Sequence, residues 1–194
     1  MIFRELDVAG VHLVTPELIE DERGAFARVF AAADFTTRGI HPGIAQMSIA
    51  TNPRRGTLRG MHMQLPPHAE TKLVRCIRGS VYDVVVDLRP NSLTFLTWTG
   101  VELDAASRAA VSIPEGVAHG YLTLEDDTEM EYTISAPYAP AAAVGVRWND
   151  PTIGIGWPFD PVVVGERDRA FPDVNPERLA AHGLSGLRAQ DVPS

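Results

Sequence analysis

The sequence predicts an all-β fold in which two antiparallel sheets pack as a sandwich or close into a barrel. Turns recur at intervals of about 8–12 residues, the spacing of short strands in such folds. The 16 glycines and 15 prolines favour short elements joined by turns over long helices. Residues 80–88 alternate clearly, with Asp83, Val85 and Asp87 on one face and apolar or aromatic side chains between them.

Short strands are predicted along most of the chain, each ended by a turn or a proline. They lie at residues 10–15, 25–30, 43–52, 57–64, 71–77, 80–88, 94–103, 111–113, 119–124 and 129–135. The last two are expected to pair as a hairpin across the acidic turn at 125–127. Short helices are predicted at 31–38, before Gly39, and at 176–182.

This pattern is typical of a double-stranded β-helix, the jelly-roll sandwich of the cupin type, with short peripheral helices. The interior of such a barrel can hold a small ligand, which suits strands that carry polar residues on their inward faces. The length of 194 residues suits one domain with a substantial core over residues 1–194, with an end that is frayed from about residue 185.

Composition excludes several classes of protein. A hydrophobic fraction of 45% excludes disorder for most of the chain, and a net charge of −8 argues against nucleic-acid or anionic-membrane binding. Cys76 is the only cysteine, so the chain has no intrachain disulfide and no cysteine-based zinc site. The first residues are charged, and no apolar run reaches the length of a membrane span. We therefore expect a cytoplasmic protein.

The segment 57–64 carries the residues around which a site is predicted. As a strand it would alternate, so Met61 and Met63 would face a core while His62 and Gln64 face the opposite side. A lone histidine is more often structural than functional. Arg59 and Lys72 close by in the sequence favour a functional role for His62.

A metal site is the first chemistry that such a cavity could support. The cupin pattern would use His62, Glu70 and His119, with a second histidine two positions after the first. Gln64 stands at that position, and glutamine is a poor ligand for transition metals. We therefore expect no metal and no other cofactor, and we keep a metal-dependent cupin oxygenase or isomerase as the alternative function.

Acid–base catalysis is the second chemistry that the cavity could support. Proton abstraction beside a carbonyl needs a base, an acid on the opposite face and a cation for the developing enolate oxygen. His62 suits the base, with Asp83 or Asp168 as the carboxylate that orients it. Lys72 suits the cation and Tyr132 the acid.

Anion binding is the third chemistry that the cavity could support. The sequence has no glycine-rich phosphate loop, so phosphate would have to be held by side chains. The candidates are Arg23, Arg59, Lys72, His119 and Arg167.

A series of motifs resembles one known family, the dTDP-4-dehydrorhamnose 3,5-epimerases, which are cofactor-free enzymes of deoxysugar and rhamnose biosynthesis. The resemblance runs from about residue 5 to 172 with the motifs in the right order, which is far more specific than any single one. The matching segments are Asp21-Glu22-Arg23-Gly24-x-Phe26, Gly56-Thr57-Leu58-Arg59-Gly60-Met61-His62-x-Gln64, Lys72-Leu73-Val74-Arg75, Asp83-Val84-x-x-Asp87-Leu88-Arg89, Ile113-Pro114-Glu115-Gly116-x-Ala118-His119-Gly120, Arg147-Trp148-Asn149-Asp150-Pro151 and Gly156-Trp157-Pro158.

The resemblance implies a cytoplasmic jelly-roll homodimer that makes a sugar for a lipopolysaccharide or cell-wall polysaccharide. It implies His62 as the base with Asp168 as its partner, Tyr132 as the acid and Lys72 as the group that stabilises the enolate. Its implied substrate-binding residues are Arg23, Phe26, Arg28, Gln46, Ser48, Arg59, Asp83, His119, Tyr138 and Arg167. Of these, Arg59 and His119 would hold phosphate or sugar, Arg23 and Arg167 would lie near the nucleotide, and Phe26 and Tyr138 near its base.

Three positions in the nucleotide-contacting set depart from the family pattern, namely Arg28, Ser48 and Ala143. Arg28 and Ala143 remove acceptors for a ring N–H, and Arg28 adds donors. We therefore expect looser discrimination among bases, with an epimerase of a non-thymidine sugar nucleotide as a further alternative. A non-catalytic sugar-nucleotide binder is disfavoured, because His62, Lys72, Tyr132 and Asp168 are all present.

Overall fold

The computed structural model describes residues 1–40 and 43–187. Three α-helices, α1 (Ala32–Thr36), α2 (Glu166–Arg169) and α3 (Pro176–Ala181), and a 3-10 turn at Leu184–Gly186 lie within this part of the chain. Its strands are β1 (Ile2–Glu5), β2 (His12–Thr15), β3 (Leu18–Asp21), β4 (Gly24–Ala27), β5 (Gln46–Asn52), β6 (Thr57–Gln64), β7 (Lys72–Arg78), β8 (Ser80–Asp87), β9 (Trp98–Asp104), β10 (Ala110–Ile113), β11 (Val117–Thr123), β12 (Thr128–Ile134), β13 (Ala143–Gly145) and β14 (Val163–Val164).

Two sheets face each other and form the predicted jelly-roll sandwich. The first has the strand order β1-β2-β10-β7-β12-β5, and the second has the order β13-β6-β11-β8-β9, with β14 added in parallel beside β6. Every other pairing is antiparallel, and β3 and β4 form a separate two-stranded hairpin. The all-β, cupin-type fold class predicted from the sequence is confirmed.

The core lies in layers that follow strand alternation. Between the sheets, apolar side chains such as Val74, Val85 and Tyr121 pack together at one end of the barrel. The outer face of the second sheet buries Met61 and Met63 beneath the C-terminal segments and α3, and α1 covers the first sheet with Phe35. Burying an aliphatic or aromatic side chain of this size stabilises the fold by about 1.5–3 kcal/mol. The opposite end of the barrel interior is left to polar side chains.

An extra residue in β6 changes which side chains enter the barrel. His62 pairs with His119 and Arg59 pairs with Tyr121, so three steps along β6 match two along β11. Such a bulge reverses the alternation of the strand beyond it. Arg59 therefore joins His62 on the inner face, whereas simple alternation would have placed Arg59 beside Met61.

Glycine occupies the bulge because the two backbones approach closely there. Gly60 has φ of +139°, and a Cβ atom at this position would lie 2.5 Å from the Cα atom of Gly120. The obstacle is backbone, so no side-chain rotation could relieve the contact.

Some element predictions were wrong. The segments predicted as a hairpin, now β11 and β12, lie in different sheets, because β11 pairs with β6 and β8 whereas β12 pairs with β5 and β7. Their acidic connection crosses from one sheet to the other. The strand predicted to begin at Thr94 begins at Trp98, since residues 92–97 form hydrogen-bonded turns beside Asp87.

The C-terminal part of the chain matches the prediction only in part. Helix α3 occurs where the pattern indicated it, with Asn175 accepting a hydrogen bond from the Arg178 amide as its N-cap. The short helix α2 was not predicted. The frayed end expected from about residue 185 falls, from residue 188 onward, outside the described residues. Among the helices described, none combines the length and apolar character needed to cross a membrane.

Replacing Gly60 tests the bulge. Gly60→Ala should lower the free energy of unfolding by about 2–4 kcal/mol, because the new methyl group meets backbone at a φ that disfavours a side chain. Gly43→Ala is the matched control, since its Cβ would lie at an ordinary 3.7 Å from that of Ser135, and its stability should stay within about 1 kcal/mol of the parent. Equal urea midpoints for both variants would contradict this account of the bulge.

Candidate active site

A cavity of about 260 Å³ opens between the two sheets at the polar end of the barrel. Strands β5, β6, β7, β11, β12 and β13 and helix α2 line it together with the segments that follow β6 and β12. The lining residues are Gln46, Ala50, Arg59, His62, Met63, Gln64, Glu70, Lys72, His119, Tyr121, Tyr132, Ile134, Tyr138, Ala143 and Arg167.

His62 and Asp168 form the pair expected of an oriented general base. The His62 Nε2 atom lies 2.6 Å from Asp168 Oδ1, and the Gly60 amide donates to Asp168 Oδ2 at 3.0 Å. An ionised carboxylate only accepts hydrogen bonds, so the proton of the neutral imidazole belongs on Nε2. Nδ1 then carries the lone pair, and the His62 side chain that lines the cavity is 35% exposed.

Asp168 is held in its charged form. Burial would raise the pKa of this carboxyl, but the hydrogen bond and charge of His62 and the hydrogen bond from Gly60 outweigh burial and lower the pKa. Helix α2 carries Asp168, and β14 before it runs beside β6, so the carboxylate approaches the His62 side of that strand. The sequence left Asp83 and Asp168 open as partners of His62, and the geometry selects Asp168.

Asp83 instead supports the second histidine. His119 Nε2 lies 2.7 Å from Asp83 Oδ2, and both side chains are almost fully buried. Asp83 is on β8 and His119 on the adjacent β11, so the pair is formed within one sheet. Asp83 was predicted as a substrate-binding residue; in the structure it lies behind His119 and is not among the residues that line the cavity.

Tyr132 lies across the barrel from these histidines, on the first sheet. Its ring meets His119 edge to face with centroids 6.0 Å apart. Burial, followed by the neighbouring phenol of Tyr121, raises the pKa of Tyr132 well above its ordinary value. The phenol is therefore protonated at neutral pH and is a hydrogen-bond or proton donor.

Lys72 begins β7 and directs its ammonium group into the same cavity. Its Nζ atom lies 3.0 Å from Glu70 Oε1 and donates to the His62 carbonyl oxygen at 3.1 Å. Burial lowers the pKa of Lys72, and the adjacent Glu70 is foremost among the groups that oppose this shift. The structure thus places the buried side chain of Lys72 beside His62.

Arg59 is anchored by a buried amide that the sequence analysis did not identify. Asn52 Oδ1 accepts hydrogen bonds from Arg59 Nε at 2.9 Å and from the Tyr121 hydroxyl at 3.2 Å. Its Nδ2 group donates to the carbonyl oxygens of Ala50 and Thr128, so every polar site of this amide is used. The Arg59 Nη2 atom also donates to the Thr51 carbonyl oxygen at 3.4 Å, so the guanidinium is held in place at the cavity wall.

Gln64 has a structural role that explains why the His-x-His pair of a metal site is broken. Its amide donates to the carbonyl oxygens of His68 and Pro137 and accepts from the Ala139 amide at 2.6 Å. Across residues 1–40 and 43–187, no group of three or more His, Cys, Asp or Glu side chains is placed to hold a metal ion. The donor set proposed for a metal-dependent cupin is engaged otherwise, because His62, Glu70 and His119 are each paired with a charged side chain.

The remaining predicted binding residues fall into two groups. Gln46, Tyr138 and Arg167 line the cavity, and Ser48 lies on β5 directly opposite Tyr132 at the exposed edge. The structure does not bring Arg23, Phe26 and Arg28 to this cavity. Arg23 and Phe26 belong to the exposed β3–β4 hairpin and Arg28 follows it, and Arg23 pairs with Asp21 in the same hairpin.

Two features of the site were available in the sequence but not used. Lys72 is the only lysine among 194 residues, whereas arginine supplies every other strong cation. Glu70 precedes Lys72 by two positions, the spacing that places both on one side of an extended chain. Asn52 gave no comparable signal, because its partners come from distant strands.

The fold and the cavity together define a cupin-type barrel whose interior carries paired acid–base side chains. The family model described as dTDP-4-dehydrorhamnose 3,5-epimerase matches residues 5–175. The chain belongs to this family of sugar-nucleotide epimerases, as its motifs predicted.

Individual relatives agree with the family assignment. The dTDP-4-dehydrorhamnose 3,5-epimerase of Sinorhizobium fredii is 39% identical over 175 residues, which cover 90% of each chain. The solved structure of the Mycobacterium tuberculosis rmlC epimerase superposes with a TM-score of 0.86 at 36% identity, covering 95% of this chain and 92% of that one. A 3'-monoepimerase from Streptomyces bikiniensis, solved with dTDP-quinovose, has a TM-score of 0.81 at 34% identity, covering 95% and 91%.

Asp168→Asn tests the charged pair through stability. Because the folded pKa of Asp168 is lowered, its contribution is present above the unfolded value of about 3.9 and disappears as pH falls through the folded pKa. The variant should be less stable than the parent by about 1–3 kcal/mol at pH 7, with a smaller difference at pH 3, by urea unfolding. Asp160→Asn, at an exposed position, should show no such pH-dependent difference. A constant deficit for Asp168→Asn at both pH values would refute the ionised pair.

Proposed function

We propose that this protein epimerises a dTDP-linked 4-keto-6-deoxyhexose at carbon 3, carbon 5 or both, by the acid–base chemistry of its own side chains. The observation that carries the proposal is the His62–Asp168 pair in the barrel cavity, which leaves Nδ1 of His62 without the proton when the imidazole is neutral. Lys72 and Tyr132 line the same cavity from the opposite sheet. A base, a cation and an acid around one space are the groups that reversible enolisation requires.

In the first step, His62 removes the proton on a carbon beside the ketone. Electrons of the C–H bond move to the carbonyl and give an enolate, while the imidazole becomes an imidazolium. Asp168 stabilises this imidazolium through the Nε2–H hydrogen bond and keeps the ring in the productive tautomer. Lys72 supplies positive charge for the oxygen that becomes negative.

In the second step, a proton is delivered to the opposite face of the same carbon. Tyr132 is proposed as the donor, because its raised pKa keeps the phenol protonated. It belongs to the first sheet, whereas His62 belongs to the second, so the two groups approach the cavity from opposite walls. Inversion of configuration follows from this arrangement.

Two arginines and a histidine near the cavity suit the diphosphate of a nucleotide sugar. Arg59, His119 and Arg167 line the space beside the acid–base groups, and charged hydrogen bonds to phosphate do not depend on the identity of the base. A relative from Legionella pneumophila was solved with dTDP-4-keto-L-rhamnose, which favours a dTDP substrate. The departures at Arg28, Ser48 and Ala143 still predict looser base discrimination.

The choice between carbon 3 and carbon 5 stays open in this proposal. Both adjacent carbons can be enolised through the same ketone, so one base and one cation serve either position. The relatives include a protein named as a 3,5-epimerase and one named as a 3'-monoepimerase. The cytoplasmic location and the use of the product in a lipopolysaccharide or cell-wall polysaccharide likewise stay predictions.

We also propose a homodimer. Met47 and Ile49 are 58% and 60% exposed on the outer face of the edge strand β5, and Ile19 and Phe26 are 67% and 66% exposed on the β3–β4 hairpin. An edge strand and a projecting apolar hairpin are the features that a second chain covers. A hairpin that reaches the cavity of the partner subunit would bring Arg23 and Phe26 to the nucleotide, as the family resemblance implies.

Deuterium incorporation tests the reaction. In heavy water, a dTDP-linked 4-keto-6-deoxyglucose should gain deuterium at the epimerised carbon, observed by proton NMR and mass spectrometry. His62→Ala should reduce exchange by about 100-fold or more, since no other group replaces the base. Tyr132→Phe should slow epimerisation but retain part of the exchange, because proton abstraction survives loss of the acid.

A matched tyrosine provides the control. Tyr82→Phe changes a tyrosine on the outer face of β8, against Trp157, and should leave both rates near those of the parent. No exchange by the unmodified protein with this class of substrate would refute the proposed function. If Tyr132→Phe lost exchange and epimerisation equally, Tyr132 would not act simply as the acid.

The dimer is tested at the β5 edge. Ile49→Asp introduces a charge into the proposed contact and should yield a monomer of 21.1 kDa by light scattering, whereas the parent should have twice that mass. Leu93→Asp is the control, since Leu93 is fully exposed on a distant turn and its change should leave the dimer intact. A parent protein that is monomeric at micromolar concentration would contradict the proposal.

A further inference from the structure

Among the described residues that line the cavity, Glu70 is the one charged residue that has no role in the proposed reaction or in the proposed phosphate contacts. Its side chain and that of Lys72 are each 8% exposed, and the carboxylate and ammonium groups are 3.0 Å apart. Taking both charges from water is costly, so such a pair persists only with good geometry and further hydrogen bonds. The additional bond from Lys72 Nζ to the His62 carbonyl oxygen supplies one of these.

The backbone around Glu70 is fixed from both sides. Before it, Gln64 accepts the Ala139 amide hydrogen and donates to the carbonyl oxygen of His68. After it, the Thr71 amide donates to Ser135 Oγ at 2.8 Å, and the Ser135 amide donates to the Thr71 carbonyl at 3.1 Å. Glu70 is thus presented to Lys72 by an anchored loop.

We propose that Glu70 is a positioning residue that holds Lys72 at the cavity wall as an ammonium ion. This role rests on the proposed function, in which the charge of Lys72 stabilises the enolate. Glu70 would act through Lys72 and would not itself touch the reacting atoms.

The other groups around Lys72 do not replace Glu70. Asp83 is the other carboxylate whose charge acts on Lys72, and it is already hydrogen-bonded to His119 at 2.7 Å. His62 offers Lys72 only a backbone carbonyl oxygen. The titratable groups that face this region from β6, β8, β11 and β12 are Arg59, His62, Asp83, His119, Tyr121 and Tyr132.

Without an adjacent carboxylate, a buried lysine favours its neutral form. Burial lowers the pKa of Lys72, and Glu70 opposes that shift more than any other group. A neutral amine would stabilise the enolate poorly, because it lacks the positive charge that the developing oxygen anion requires. Without the Glu70 carboxylate, activity should therefore be lost at a lower pH than in the parent as the solution is made more alkaline.

The single lysine of the chain allows a direct measurement. In protein labelled with carbon-13 at the lysine Cε, one side-chain resonance reports Lys72 without assignment. Its titration midpoint in Glu70→Gln should fall by about one pH unit or more relative to the parent, whereas Glu70→Asp should restore at least part of the shift. Glu102→Gln, which changes an exposed glutamate on β9, should titrate as the parent does. An unchanged midpoint in Glu70→Gln would overturn the proposal.

Turnover provides the second readout. The alkaline limb of kcat in Glu70→Gln should move to lower pH by the same amount as the resonance, with KM at neutral pH unchanged. A uniform loss of kcat at all pH values would indicate a merely structural role and would overturn the proposal. Failure of the proposed function is recognised separately, because the unmodified protein would then show no deuterium exchange while the lysine titration could still be recorded.

Discussion

The cavity of this barrel depends on one extra residue in β6. A regular strand would alternate through Arg59, Met61 and Met63 on one face, and the arginine would be buried with the methionines. The bulge opposite β11 changes the phase once, so that Arg59 and His62 share the inner face while the methionines remain in the outer core. Gly60 permits it, because the backbones of β6 and β11 approach too closely there for a side chain.

Charge pairing is the second organising feature of the interior. Three ionisable groups of the inner wall are each paired with a carboxylate: His62 with Asp168, His119 with Asp83, and Lys72 with Glu70. Asp168 and Asp83 orient their histidines, and Glu70 opposes the loss of charge that burial favours in Lys72. The pairs therefore define the tautomer of His62 and hold Lys72 beside it, as the proposed enolisation would require of its base and its cation.

Sequence pattern predicted most of this architecture where the signal was local. The alternation of residues 80–88 placed Asp83 on the inner face, and glycine and proline turns separated most strands correctly. The prediction failed for the connection between β11 and β12. A short acidic turn between two strands usually makes a hairpin, but here it connects strands of different sheets. Which sheet each strand joins depends on its pairing with strands elsewhere in the chain.

The sequence by itself determined the fold class, the family and the chemical character of the site, because these depend on residue types and on spacings within single strands. Tertiary structure alone decided that Asp168 and not Asp83 pairs with His62, that Arg59 turns inward opposite β11, and that Asn52 joins Arg59 to Tyr121. The physical reason is that these relations join residues far apart in the chain, such as His62 and Asp168, 106 positions apart. Only the packing of the two sheets brings such residues within hydrogen-bond distance.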